Sequence, residues 1–446
     1  MTVLGFLGVL TLCGLLGHGW APTLARAEDG RAWRALAALV AGTVTFFLLL
    51  AVLDLVGVPW SRLSLVLGTL LVHLGLRSLV KEPVVARPPR RRTGWGTLVA
   101  LVALAAVGLA CLATWGLNPD FIYHWGIKGK RFFLARAFDF DFLALPWSKV
   151  RHPDYPNLLP GLFGATGVLA GRFGERGMLL WSALAFGGLL VAARETLLRT
   201  SSSFAARATL GGLALAGAAF GIGYFTLGGP DWLIALAPVA AWPAFLGTRS
   251  PASDRAVGWI AALAAASKIE GMPLGAFLVG LYFLGRGRER WRALPALLLP
   301  TAAVVACWLW GALSWGLFVE QRGGTVSFTH AATLAKTFLT TLTFPEWHRA
   351  SWIFLALPLL WLPRVTRPIA AVVTLQALFY AYVYLSFPLD TAEQAEYLVR
   401  SNGARLAFHL FPAVVVGAGV LLGRLDGGNP EGGHVGPPLR GLEGLS

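Results

Sequence analysis

The sequence predicts an all-α, polytopic transmembrane helix bundle of about 12–14 membrane segments, with a large external loop after the fourth span. Three observations predict it. Hydrophobic residues make up 56% of the 446 and mean hydropathy is +0.65, more apolar surface than one soluble core can hide. Charged residues are only 13%, and the uncharged runs 35–53, 98–117 and 294–313 approach the ~20 residues that cross a bilayer as helix. Gly (53) and Pro (26) are frequent, which membrane bundles tolerate because neighbouring helices satisfy the freed backbone groups.

Taken in order, apolar segments lie at 3–20, 33–56, 63–80, 95–117, 158–172, 178–193, 205–225, 232–246, 257–268, 273–284, 294–318, 352–362, 369–387 and 406–422. The first lacks a basic n-region and reads as a span, not a removed signal. The basic linker 81–92, with Arg87, Arg90, Arg91 and Arg92, and the loop 286–292 mark the cytoplasmic side by the positive-inside rule. The span from Trp95 then emerges outside, and 118–156 becomes the external loop. Continued strictly, the alternation puts the basic stretch 194–199 outside and Asp231 inside. A segment that does not cross repairs this, and 158–172, Gly-rich and following Pro156, is expected to be re-entrant or interfacial. Within 318–350 an amphipathic stretch at 331–342 is expected to lie on the membrane surface. The chain thus divides into N-terminal spans and linker (1–93), a transmembrane core (94–424) and a Gly/Pro-rich tail expected to be disordered (425–446).

The formal charge of +15 sits largely in short loops, where it orients spans and meets anionic lipid, so nucleic acid is not the expected partner. Cys13, Cys111 and Cys307 fall inside apolar runs, without disulfide or zinc spacing. Nucleotide loops and nucleophile elbows are absent as well.

Charged side chains at the edges of membrane spans are costly, and four groups stand out. Asp120 follows a span and a proline, with Tyr123, Trp125, Lys128 and Arg131 at spacings of one interfacial amphipathic helix; His152 and Tyr155 follow. Cations in an external loop suit an anionic headgroup, while the plainer reading is an aromatic belt with snorkelling lysines. Asp231 opens a span after Gly228-Gly229-Pro230, where a helix dipole alone would favour an acid. Lys268 and Glu270 interrupt an apolar stretch; two residues apart they share no helix face, but an unwound turn at Gly271 and Pro273 would let both enter a polar cavity. Arg405 and His409 stand one helical turn apart at the start of the last span. An arginine fork suits a phosphate; the alternative is an interfacial anchor and a core histidine.

In this order the features resemble the GT-C glycosyltransferase superfamily, in particular bacterial members near the dolichyl-phosphate-mannose protein mannosyltransferases and the lipopolysaccharide sugar transferases. The resemblance covers roughly 95–422. It rests on Asp120 with Tyr123, Trp125 and Lys128; His152, Tyr155 and Pro156; Asp231; Lys268, Glu270 and Gly271; and Arg405, His409 and Pro412. Two features depart from the family pattern: three spans precede the loop-bearing one, and Asp120 lacks an adjacent second carboxylate, which leaves a need for a divalent cation open. The resemblance implies inverting transfer of a sugar from a polyprenyl-phosphate donor to an acceptor glycan, lipid or protein, at the outer face of a bacterial plasma membrane. It implies Asp120 as general base, Arg405 and Lys268 as the phosphate clamp with Lys128 or Arg131 assisting, His409 and Glu270 as orienting groups, and Asp231 on acceptor or sugar hydroxyls. A secondary transporter or lipid-linked-sugar flippase, and a non-catalytic scaffold, are the competing readings.

Overall fold

The computed structural model describes residues 1–24, 26, 28–79, 94–114, 119–147, 152–201, 203–223, 227–317, 325–342 and 350–425. The basic linker 81–92 and the tail from 426 lie outside them. Among the described residues there is no strand, and the chain is an all-α integral membrane bundle. Its helices are α1 (Thr2–Leu24), α2 (Arg31–Leu55), α3 (Arg62–Leu79), α4 (Trp95–Ala113), α5 (Gly126–Ala135), α6 (Phe140–Ala144), α7 (Leu158–Ala170), α8 (Glu175–Thr200), α9 (Ser203–Gly223), α10 (Asp231–Leu246), α11 (Pro251–Ser267), α12 (Gly271–Leu284), α13 (Arg290–Ser314), α14 (Ala331–Leu342), α15 (Leu357–Leu360), α16 (Arg367–Leu385) and α17 (Ala392–Leu425).

Among the described residues nine helices are long and apolar enough to cross a membrane, namely α1–α4, α8, α9, α13, α16 and α17; α7, α10 and α12 are shorter apolar helices. The perimeter shows what solvent the bundle expects. On α3 only Leu65 and Thr69 are buried, while Leu63, Leu67, Leu70, Leu71 and Leu74 face outward, a surface that only lipid tails cover without cost. The centre is different: α10 buries all but two of its side chains among α8, α11 and α17. Close backbone approach holds α1 to α2, because a Cβ on Gly42 would lie 1.9 Å from the Cys13 carbonyl oxygen. The first two helices also pack on α7, α8 and α11, so they are built into the bundle.

Several sequence expectations change shape here. The segment 158–172 is α7, 13 residues and about 20 Å long, short of the ~30 Å hydrocarbon core. It is buried on every side except at Leu169, so it is wrapped in protein. The apolar run 352–362 is no span: it forms a 3-10 stretch, Ala350–Ala356, and the single turn α15, since Pro358 and Pro363 deny longer helix its backbone donors. The basic stretch 194–199 belongs to the end of the 26-residue α8. The last span begins much earlier than 406: α17 has 34 residues, about 51 Å, and Arg405 lies inside it. The amphipathic stretch 331–342 is α14, packed on α17.

Candidate functional site

Four chain segments deliver charged side chains to one place. Gly228, at φ +84, turns the chain into α10 where a Cβ would strike Phe121 and Leu179, and Pro230 caps the helix so that Asp231 is its first residue. Between α11 and α12 the helix breaks: Lys268 is extended (φ −160, ψ 159) and Glu270 heads α12. The break is tight because Gly271 lacks a Cβ, which would sit 1.9 Å from the Ala264 carbonyl oxygen. Lys268 and Glu270, unable to share a helix face, therefore meet across the break at 3.0 Å.

Asp231 is wholly enclosed, and three groups converge on its carboxylate. Arg405 Nη2 lies 3.0 Å from Oδ2, His409 Nε2 lies 2.8 Å from Oδ1, and Lys268 Nζ lies 3.5 Å from Oδ1. Spaced four apart on α17, Arg405 and His409 reach it from one helix face. Arg405 turns its other terminal nitrogen, Nη1, to the Asp120 carboxylate, so one guanidinium joins two acids 111 positions apart in the chain. Asp120 and Arg405 remain about a quarter exposed, while Asp231 and His409 are sealed. Two buried atoms here find no partner among the described residues, Arg405 Nε and Glu270 Oε2.

Beside this cluster Phe121–Trp125 form a π turn, and the chain continues as α5. The wider turn shifts the helical phase, and the expected single interfacial face does not form. Trp125 and Lys128 point inward and are buried, at 2% and 0% exposure, so Lys128 is not a snorkelling lysine. Its ammonium stands 5.2 Å from the Trp125 ring and 6.0 Å from the Tyr155 ring, and donates to the carbonyl of His152. That carbonyl also closes a turn from Tyr155 N–H, with His152 at φ +51 and its ring stacked on Tyr155 at 4.7 Å. Tyr155 in turn carries the Lys268 ammonium 6.0 Å from its ring, which ties the loop to the charge cluster. His124 lies 3.9 Å from Asp120.

Two expected members are elsewhere. Tyr123 is 62% exposed, and Arg131 pairs with Asp139 at 2.7 Å over the Phe142 ring. One member was missed: Tyr380 on α16, whose hydroxyl meets His409 Nδ1 at 2.7 Å. With Asp231 accepting at Nε2, that ring nitrogen carries the proton and Nδ1 accepts from Tyr380. A tyrosine inside an apolar span is the one signal the sequence held, since its hydroxyl needs a partner there. One turn earlier, Gln376 donates to the Glu270 carbonyl at 3.0 Å.

Among the described residues no group of three or more His, Cys, Asp or Glu side chains is gathered as a metal site. The two aspartates are instead joined through Arg405, a fixed cation that they share. The arrangement can bind an anion at Arg405 and Lys268, and it can offer one partly exposed carboxylate, Asp120, to a proton. The N-terminal ends of α10 and α12, both opening at the cluster, favour negative charge there. Compared with models of protein families, with curated proteins and with solved structures, the chain matches none.

Proposed function

We propose that this chain is an integral membrane glycosyltransferase that moves a sugar from a polyprenyl-phosphate donor to an acceptor hydroxyl or amine on a glycan, lipid or protein, at the outer face of a bacterial plasma membrane. The observation that carries the reading is Arg405 held between Asp120 and Asp231, with Lys268 and His409 on the same acid. These residues come from four separated segments, in the order in which the GT-C family presents its functional residues.

The two acids differ in a way that suits the chemistry. Asp231 has three partners and no access to solvent, so it serves to hold Arg405, Lys268 and His409 in place. Asp120 stands at the rim with Arg405. A donor phosphate arriving at Arg405 competes with Asp120 for the guanidinium and sets that carboxylate loose beside the acceptor. Asp120 then takes the acceptor proton as the acceptor atom bonds to the anomeric carbon; the carbon–oxygen bond to phosphate breaks, and its electron pair stays on the phosphate, stabilised by Arg405 and Lys268. Attack opposite the leaving phosphate inverts the anomeric centre.

Short helices that end at a charge cluster also suit a transporter of the same lipid, and α10 and α12 have that form. The test separates the two by covalent chemistry. Purified protein is given a panel of polyprenyl-phosphate sugars and acceptors, and release of polyprenyl phosphate is measured for wild type, Asp120→Asn and Arg405→Ala. Turnover that both variants lose is the expected result. Turnover indifferent to Asp120→Asn sinks the base assignment, and donor movement across vesicles without release moves the reading to transport.

A further inference from the structure

Three helix ends bring arginines together on the Asp120 side of the bundle. α5 closes at Arg136 (φ +59), whose carbonyl accepts from Trp60 N–H at 2.7 Å, and Arg62 follows Trp60 by two residues as the start of α3. α7 closes at Gly171 (φ +75), where a Cβ would lie 2.9 Å from Arg62 Nη2, and Arg172 is the next residue. Two rings link the set: the Arg136 guanidinium stands 5.3 Å from Phe133, and Phe133 lies 6.2 Å from Phe173. Arg62 and Arg172 are exposed and Arg136 is half-buried.

No acid neutralises them. Among the described residues none of the three side chains forms an ion pair or donates a hydrogen bond. Acids in the neighbouring segments are matched elsewhere: Asp139 holds Arg131 at 2.7 Å, and Glu175 is followed by Arg176 in the first turn of α8. A cation at a helix C-terminus balances the dipole, which is the plainer reading of Arg62 and Arg136. That reading explains neither the side nor the surface beneath. The patch stands opposite the basic linker 81–92, where the positive-inside rule disfavours arginine. Beneath it, α3 buries only Leu65 and Thr69, and its outward leucines run from Leu63 to Leu74 over about 17 Å, roughly one leaflet of the ~30 Å hydrocarbon core. Three unpaired cations thus head an apolar strip one leaflet deep, which is the outline of a lipid with an anionic head. A zwitterionic head would bring its own ammonium to the arginines, and a soluble anion would leave the strip unused.

We propose that this patch docks an anionic phospholipid, with its phosphate on Arg62, Arg136 and Arg172 and its acyl chains along the outward face of α3. Such a site needs the membrane bundle and does not need sugar transfer.

The test is photo-crosslinking of the full chain in phosphatidylcholine vesicles that carry a small fraction of probe lipid with a diazirine in one acyl chain, the probe being phosphatidylglycerol or phosphatidylcholine. Adducts on the α3 peptide are measured by mass spectrometry. Wild type is expected to give about tenfold more α3 adduct with the phosphatidylglycerol probe than with the phosphatidylcholine probe. The triple variant Arg62→Gln, Arg136→Gln, Arg172→Gln should lose that preference while its phosphatidylcholine labelling stays as in wild type, which reports that α3 is in place. The matching triple change to lysine, which keeps the charge, should keep most of it. Equal α3 labelling by the two probes in wild type, or a preference that survives the glutamine variant, overturns the proposal. Labelling that falls alike for both probes in the glutamine variant also overturns it and assigns the arginines to holding α3 in the fold. Inorganic phosphate in excess is the last arm: if it abolishes the preference where sodium chloride of equal ionic strength does not, the site takes a soluble anion and the lipid assignment fails.

Discussion

Two charged networks sit at opposite ends of α10, about 24 Å apart for its 16 residues. At the far end, Asp29 takes Arg26 Nη2 and Arg199 Nη2 at 2.7 Å each, and Arg199 also holds Glu195 at 2.7 Å. Backbone completes the set: Gly30 N–H donates to Glu195 at 3.0 Å, and Arg26 donates to the Pro243 carbonyl at 2.9 Å. Among the described residues, no buried side-chain nitrogen or oxygen of Arg26, Asp29, Glu195 or Arg199 is left without a partner. At the near end, Asp120 and Arg405 stand a quarter exposed, and Arg405 Nε and Glu270 Oε2 are orphaned among the described residues. Both networks bury carboxylates under guanidinium groups, so buried ion pairs alone do not mark function. What differs is completeness: a finished network fastens α2, α8 and α10 together, and an unfinished one leaves polar atoms of Arg405 and Glu270 without a partner among the described residues.

The sharpest way to break this contrast is a matched pair of charge deletions. On the proposed glycosyltransferase reading, Asp120→Asn is expected to cut sugar transfer by about 10²–10⁴-fold, the usual worth of a general base, while thermal stability in detergent moves by less than about 1 kcal/mol because the ion pair it removes is partly solvated. Asp29→Asn should do the reverse. It strands Arg26 and Arg199 in a buried site and is expected to cost about 3–5 kcal/mol of stability, read by thermal unfolding, with transfer per folded molecule kept. If Asp120→Asn destabilises as much as Asp29→Asn, the two networks are both structural and the contrast fails.

A pH titration sharpens the same point at the far end. Asp29 lies between α1 and α2, outside the spans; burial pushes its carboxyl up most strongly of any single influence, but hydrogen bonds and charge from Arg26 and Arg199 together outweigh it, and its pKa falls below the ordinary 3.8. A carboxyl whose folded pKa is depressed contributes stability that is fully present above its unfolded pKa and is lost as pH falls through the folded one. Unfolding midpoints followed downward from about pH 5 should therefore decline in wild type. The Asp29→Asn variant, which has no carboxyl to protonate there, should show a shallower acid limb; equal slopes in the two proteins would mean that Asp29 gains nothing from its arginines.

Much of the near network was legible because each member breaks an apolar pattern: Asp231, Lys268, Glu270 and Arg405 are conspicuous where lipid is the solvent. The far network was not read at all, since Arg26 and Asp29 sit in a short loop and Arg199 at a helix end, where charge is ordinary. Helical spacing misplaced the loop members. It assumed an unbroken α phase from Asp120, and the π turn at Phe121–Trp125 sends Lys128 inward while Tyr123 stays exposed and Arg131 goes to Asp139. Tyr380 escaped for another reason. It resembles a common local role, a core aromatic, and only its three-dimensional neighbour, the His409 ring, reveals a different one.

The smallest expected effect probes how the near network is held. Tyr380, 6% exposed, donates to Nδ1 of the sealed His409, whose Nε2–H faces Asp231. Tyr380→Phe keeps the ring and removes one hydrogen bond, at a cost of about 0.5–1.5 kcal/mol, so transfer should fall by no more than about tenfold. The readout that separates positioning from mere packing is the imidazole nitrogen spectrum of histidine-labelled protein. Wild type should show His409 protonated at Nε2 alone, and Tyr380→Phe should admit the other tautomer, because nothing then donates to Nδ1. With the proton on Nδ1, Nε2 turns a lone pair toward the Asp231 carboxylate, and the acid that holds Arg405 and Lys268 loses one of its three partners. A loss as deep as that of Asp120→Asn would instead put His409 and Tyr380 in the chemistry itself, and the division between a holding acid and a reacting acid would have to be redrawn.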